Sequence, residues 1–262
     1  MRIAMGIEYN GANFQGWQTQ AGSKARTVQT TVETAISTVA NHPISICCAG
    51  RTDAGVHAVE QVIHFDTNAT RSNRSWIMGS NTNLPSDINI KWAQKVTDDF
   101  HARFRATGRH YRYIILNRPV RSALEHQRAL WIYYPLDETT MQTAAIDLIG
   151  THDFSSYRAA GCQAKNPIRT VKYLNIKRNN EFIFIEIGAD AFLYHMVRNI
   201  VGVLITIGCG DKPISWAFDI MNLRNRKLGG ITAPPQGLYL IQIDYPSYFN
   251  LPTTLNFQHH EK

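Results

Sequence analysis

Residues 45–67 read SICCAGRTDAGVHAVEQVIHFDT. Two strand-like runs, SICC (45–48) and VEQVIHFDT (59–67), are held apart by AGRTDAGVHA (49–58), which is too long and too specific for a hairpin turn. Upstream, RIAMGIEY (2–9) alternates as a strand with Ile3, Met5 and Ile7 on one face. A Gly- and Asn-rich loop (9–24) follows. Then TVQTTVETAISTVA (27–40) places Val28, Val32, Ala35, Ile36 and Val39 at helical spacing, with Thr27 as N-cap. Downstream, WIMGSNTNL (76–84) reads as a short helix and INIKWAQKV (88–96) as a strand. The order βαββαβ is the split βαβ pattern.

The second half repeats this make-up with additions. RHYRYIILN (109–117) is a strand, and TTMQTAAIDLIG (139–150) a helix with Met141, Ala144, Ala145 and Leu148 inward. YLNIKRNNEFIFIEIGA (173–189) is a hairpin. FLYHMVRNIVGVLITIG (192–208) reads as a helix apolar nearly all round, hence buried. Pro213 opens a further helix with Trp216, Ile220 and Met221 on one face, and LYLIQIDY (238–245) closes as a strand. The expectation is an α+β protein of two ferredoxin-like halves, residues 1–105 and 106–245, followed by a polar tail, 246–262. Their antiparallel sheets are expected to join around a central basic cleft.

The 262 residues are 44% hydrophobic and 18% charged, a globular balance that excludes a disordered chain. No apolar run reaches the roughly 18 residues of a membrane span, and the first residues lack the apolar core of a signal peptide. A soluble, cytoplasmic protein with reduced cysteines is expected; Cys47 and Cys48 read as small core residues. No Cys/His grouping has zinc-site spacing, so no metal is expected.

The chain carries 27 Lys and Arg against 20 Asp and Glu, a net +7. Six arginines and no acid lie between Phe100 and Leu124; three arginines, three lysines and no acid lie between Phe154 and Asn180. Concentration into two acid-free stretches, interleaved with Phe104, Tyr111, Tyr113, Tyr157 and Tyr173, points to a positive face for nucleic acid. Lys24, Arg26, Arg71 and Arg74 are further candidates for phosphates.

AGRTDAGVHA carries the chemistry. Gly50 and Gly55 permit left-handed backbone angles. Arg51 and Asp53 alternate, so on an extended chain both point to one side. A carboxylate beside a guanidinium stays ionised, which suits a nucleophile or charge stabiliser. A loop-capping Asp with Arg51 as a surface ion pair fits the spacing equally well.

AGRTDAGVHA resembles the signature of the tRNA pseudouridine synthase A family. Five other stretches agree in that family's order: YNGANFQGWQ (9–18), TVQ (27–29), HARFRATGRHYRYIILN (101–117), FLYHMVRNIVG (192–202) and APPQGLYL (233–240). The likeness spans residues 1 to 245. It implies an enzyme that isomerises uridine to pseudouridine in the anticodon stem-loop of tRNA, by flipping the base, cleaving its glycosidic bond and rejoining ribose at C5. It implies that Asp53 is the catalytic carboxylate, with Arg51 beside it. It further implies that Tyr111 contacts the target base, that Arg198 pairs with Asp53, and that Leu238 is the aliphatic residue near the base. No cofactor is implied, since atoms are conserved and no electrons are exchanged. The partners implied are tRNA and a second copy of the chain, a homodimer, with no membrane.

Read from the residues alone, Tyr111 alternates with Tyr113 and suits a core as well as a site. Asp190 competes with Asp53 for Arg198, and His57 and His195 read as structural. Two other functions are open at this point. One is a non-catalytic RNA-binding module, against which the absence of an RRM's aromatic motif counts. The other is a carboxylate-dependent nucleoside hydrolase; a metal-assisted version needs clustered carboxylates, and this segment offers one.

Overall fold

The computed structural model describes residues 1–19 and 25–252. Lys24 and the end of the tail therefore lie outside the described residues. In chain order the first elements are β1 (Arg2–Tyr9), α1 (Val28–Ala40), β2 (Cys47–Cys48), β3 (His57–Asp66), α2 (Asn73–Asn83) and β4 (Ile88–Val96). Then come β5 (Gly108–Asn117), β6 (Leu130–Ile132), α3 (Glu138–Ile146), β7 (Gly150–Asp153), β8 (Ile168–Asn179) and β9 (Phe182–Ala189). The last are α4 (Met196–Gly208), α5 (Trp216–Leu223) and β10 (Leu238–Asp244). The fold is mixed, with mostly antiparallel strands and five α-helices among the described residues. None of those helices is long and apolar enough to cross a membrane. The chain forms two compact units, Met1–Thr107 with the segment from Tyr239, and Gly108–Leu238.

In the first unit β1 lies between β3 and β4, antiparallel to both, and β10 runs parallel to β3. Ile3, Met5 and Ile7 are buried as the alternation requires. Ala4 is buried too, and Gly6 lies against the Trp92 indole, so β1 is covered on both faces. α1 begins where Thr27 Oγ1 accepts the Thr30 N–H at 3.4 Å. It buries Val28, Val32, Ala35 and Ile36, while Val39 is only half-buried. α2 starts three residues before the apolar pattern, because Ser72 Oγ accepts the Ser75 N–H at 3.1 Å. The tail does not fray at once: Phe249 is buried, edge-on to Phe100 with ring centroids 5.0 Å apart.

In the second unit β5 pairs with β9, β9 with β8, and β8 with β7, all antiparallel, while β6 pairs with β5 in parallel. Asn180 turns the β8–β9 hairpin with φ at 53°. The apolar run at 192–208 becomes helical only from Met196, because His195 has φ at 59° and a left-handed residue cannot continue a right-handed helix. Ile200, Val201, Val203, Leu204 and Ile207 of α4 are fully buried, each contributing about 1.5–3 kcal/mol of transfer energy.

The two acid-free stretches are not acid-free in space. Arg112 on β5 faces its register partner Glu186 on β9, with Nε 2.8 Å from Oε1. Arg118 reaches Glu181 at 2.9 Å, Arg178 reaches Glu138 at 2.8 Å, and Arg105 lies 3.6 Å from Asp99. Arg26 is likewise bidentate to Asp87, at 2.9 Å for each bond. A window along the chain does not see cross-strand partners, so the sequence overstated the free positive charge. Arg112 is the most buried of these cations, and removing it takes a charged partner from the part-exposed Glu186 carboxylate. Arg112→Met is expected to lose about 3 kcal/mol in urea unfolding, most of it restored by adding Glu186→Leu.

Candidate active site

The Asp53 segment has no regular secondary structure between Ala49 and Val56, so its peptide groups need partners elsewhere. Residues 10–17 supply them. Trp17 N–H donates to Thr52 O at 2.9 Å, and Gly55 N–H donates to Phe14 O at 3.3 Å. Gly11 N–H donates to His57 Nδ1 at 3.1 Å. Within the segment, Val56 N–H closes a turn onto Asp53 O at 3.1 Å. Buried Tyr9 and Thr52 share a hydroxyl hydrogen bond of 2.7 Å. Gly50 is held by both ends of the Gln61 amide.

Two glycines are obligatory at this junction. A Cβ on Gly11 would lie 1.9 Å from Val56 O. Gly16 has φ at +87°, and a Cβ there would meet Thr52 O at 2.9 Å. Gly55 has the left-handed angle expected of it, with φ at 79°. Gly50 is not among the positive-φ glycines, so its place depends on the Gln61 contacts. Alternation holds across the segment: Thr52 points inward, Arg51 is exposed and Asp53 is half-buried. The loop thus carries a half-buried carboxylate two residues along the chain from an exposed arginine, on a backbone held by residues 10–17.

The other expected site residues belong to the second unit. Tyr111 on β5 is half-buried, edge-on to Phe192 with centroids 5.1 Å apart. Tyr113, two residues on, is wholly buried, and its hydroxyl donates to Pro234 O at 2.8 Å. Of this alternating pair, Tyr113 is thus the core residue. Arg198 lies in the first turn of α4, where its Nε donates to Ala233 O at 2.8 Å and its carbonyl accepts the Ala233 N–H at 3.0 Å. The competing Asp190 is occupied otherwise: its Oδ1 accepts the N–H groups of Thr170 at 3.0 Å and Ala191 at 2.7 Å. Leu238 is buried at the start of β10, just after Gly237, whose φ is 122° and whose Cβ would press on Ile114 O at 2.7 Å. Of the other candidates, Arg71 and Arg74 are exposed, His57 is buried with its Nδ1 accepting the Gly11 N–H, and His195 is the left-handed residue before α4.

The family described as tRNA pseudouridine synthase matches residues 5–105 and 144–246. The chain belongs to the tRNA pseudouridine synthase family. A tRNA pseudouridine synthase A of Nitrosococcus oceani is 54% identical over 252 residues, covering 96% of this chain and 96% of that protein. A protein of the same name from Alcanivorax borkumensis is 53% identical over 251 residues, covering 96% of this chain and 94% of its own. Another, from Methylococcus capsulatus, is 51% identical over 259 residues, covering 99% and 95%.

One cluster in this pseudouridine synthase fold has no signal in the sequence spacing. Cys47, His64 and His101 bring potential ligand atoms within 4.8 Å of one another. The hydrogen bonds decide its character. His64 Nδ1 accepts the Ala102 N–H at 3.1 Å, and His101 Nδ1 accepts the N–H groups of Arg103 and Phe104, each at 3.2 Å. A neutral imidazole whose Nδ1 accepts carries its proton on Nε2. Both Nε2 atoms are then donors, and that of His101 lies 3.8 Å from Cys47 Sγ. Cys47 and His101 are thus joined by a weak hydrogen bond, and a metal at either Nε2 would need the lone pair that its proton occupies. Burial, with His101 and Arg2 adding to it, lowers the His64 pKa to about 4 and holds the ring neutral.

The sign of the pH effect follows. Below about 6.5 an unfolded His64 takes up a proton that the folded one refuses until about 4. Folded stability from this residue is therefore complete above 6.5 and is lost as pH falls toward 4. Asn at position 64 keeps an acceptor where Nδ1 stood and cannot titrate. Urea unfolding across that window is expected to show wild type losing stability more steeply than His64→Asn.

Proposed function

We propose that this chain converts uridine to pseudouridine in the anticodon stem-loop of tRNA, in the cytoplasm, with Asp53 as its catalytic carboxylate. The observation that carries the reading is the loop from Ala49 to Val56. Its backbone is pinned by Phe14, Trp17 and Gln61, and it offers a half-buried carboxylate next to an exposed arginine. Catalytic groups gain most from being held in place before the substrate arrives.

The reaction is an exchange of bonds. The glycosidic bond from ribose C1′ to uracil N1 breaks, a bond from C1′ to C5 forms, and the C5 proton leaves as N1 gains one. Nothing is oxidised or reduced. The base is first flipped out of its stack, at a cost of a few kcal/mol. Arg51 is proposed to help fill the space it vacates, and Tyr111 to stack on the extruded uracil. By the family resemblance, Arg198 and Leu238 serve the same reaction. Asp53 acts either as a nucleophile or by taking a proton from the sugar or base.

The finer architecture proposed is that each unit is a ferredoxin-like half. The βαββαβ order of the first unit supports this for residues 1–96. The enzyme is also proposed to work as a homodimer that contacts one tRNA with both copies. The excess of seven positive charges per chain then favours the phosphate backbone, and log K for tRNA is expected to fall linearly with log salt in filter-binding titrations.

The test uses an unmodified tRNA transcript tritiated at uracil C5, because the product is an isomer and mass alone misses it. Forming the carbon–carbon bond expels the label into water. Wild type is expected to release tritium, and Asp53→Asn to release none while binding tRNA within about twofold of wild type. Full release by Asp53→Asn, or tight binding without release by wild type, overturns the assignment.

A further inference from the structure

The reaction as described gives Phe104 no part, yet its ring is 74% exposed. The turn that carries it is not loose. His101 Nδ1 accepts the N–H groups of both Arg103 and Phe104, and the His101 carbonyl accepts the Arg105 N–H at 3.0 Å. Phe100 and Ala102, in the same turn, are fully buried.

Phe104 is also the outer member of a column of rings. It lies against His101 with centroids 4.3 Å apart and planes at 32°, and His101 lies 4.6 Å from His64. His64 in turn meets buried Phe100 edge-on at 6.0 Å. An apolar ring is thus held at the surface by a stack rooted in the core. Ordering a bulky ring in water without a partner forfeits the apolar burial that normally fixes such a side chain.

The surroundings indicate the chemistry of the partner. The Arg103 guanidinium is 5.7 Å from the Phe104 ring centre, and half-exposed Arg105 follows. His101 Nε2 lies 3.8 Å from Cys47 Sγ on β2, and β2 runs straight into the Arg51–Asp53 loop, ending at Cys48 where the loop begins at Ala49. The Phe104 turn is therefore packed against the strand that leads into that loop. An aromatic face with cations beside it suits an unpaired nucleobase and its phosphates better than an apolar protein pocket. We propose that Phe104 is a stacking platform for an unpaired base of the RNA substrate, next to the uridine that Asp53 acts on. The inference rests on the proposed pseudouridine synthase reaction and adds to it a residue that binds RNA without touching the reacting atoms.

The experiment compares wild type with Phe104→Leu, Phe104→Ala and Phe104→Trp, all at an exposed position where folding is retained and is checked by thermal unfolding. Binding of an unmodified anticodon stem-loop RNA and tritium release are measured on each. Phe104→Leu keeps apolar bulk but has no π face, so it and Phe104→Ala are expected to weaken binding and kcat/KM about five- to hundredfold, with kcat at saturating RNA changed far less. Phe104→Trp is expected to restore both, and its added indole fluorescence to be quenched by the RNA relative to wild type. Phe104→Leu that binds and reacts as wild type overturns the proposal. So does Phe104→Leu that keeps its RNA affinity but loses self-association, since that places the ring in a protein interface. If wild type binds the RNA and releases no tritium, the reaction is wrong, and the binding comparison still decides whether Phe104 stacks on a base.

Discussion

A peptide group hidden from water without a hydrogen-bond partner costs about 1–3 kcal/mol, and the Asp53 loop exists under that constraint. Between Ala49 and Val56 the chain makes no ladder of its own. A second irregular loop, residues 10–17, completes it, with Trp17 and Thr52, Phe14 and Gly55, and Gly11 and His57 as the paired positions. Each loop is the other's substitute for secondary structure. The Asp53 backbone is held by contacts on both sides, while its side chain is only half-buried. The same loop is tied into α1, since Gly16 O and Trp17 O accept the N–H groups of Val28 and Gln29 at 3.2 and 3.0 Å. Sheet, helix and Asp53 loop in the first unit are thereby one hydrogen-bonded assembly.

Much of this was legible in the residues. Alternation gave β1 and β4, Thr27 marked the start of α1, and the break between SICC and VEQVIHFDT located the irregular Asp53 loop. What the sequence did not reveal depends on contacts between distant positions. β6 and β7, at three and four residues, are too short to carry a period. The apolar run before α4 continues helical spacing, yet the left-handed backbone at His195 delays the helix to Met196. The Cys47–His64–His101 cluster joins residues with no common spacing, and only the backbone N–H groups at each Nδ1 reveal which ring nitrogens carry the protons.

Charge was the least transferable reading. Arg112, Arg118 and Arg178 fall in stretches without acids, but antiparallel pairing and helix packing bring Glu186, Glu181 and Glu138 to them. These arginines are paired within the second unit. Exposed arginines of the first unit include Arg51, Arg71, Arg74 and Arg103. The tRNA pseudouridine synthase family assignment does not depend on that redistribution, since it follows the match across nearly the whole chain.

The central claim is that loop 10–17 holds the Asp53 loop ready for reaction. Gly11→Ala tests it most directly, because the new methyl group would sit 1.9 Å from Val56 O and force the two loops apart without touching Asp53. Single-turnover tritium release from saturating tRNA should fall at least about tenfold, as expected when a catalytic group is displaced by a fraction of an ångström, with tRNA affinity within about twofold of wild type. A folded Gly11→Ala protein that reacts at the wild-type rate would contradict the account.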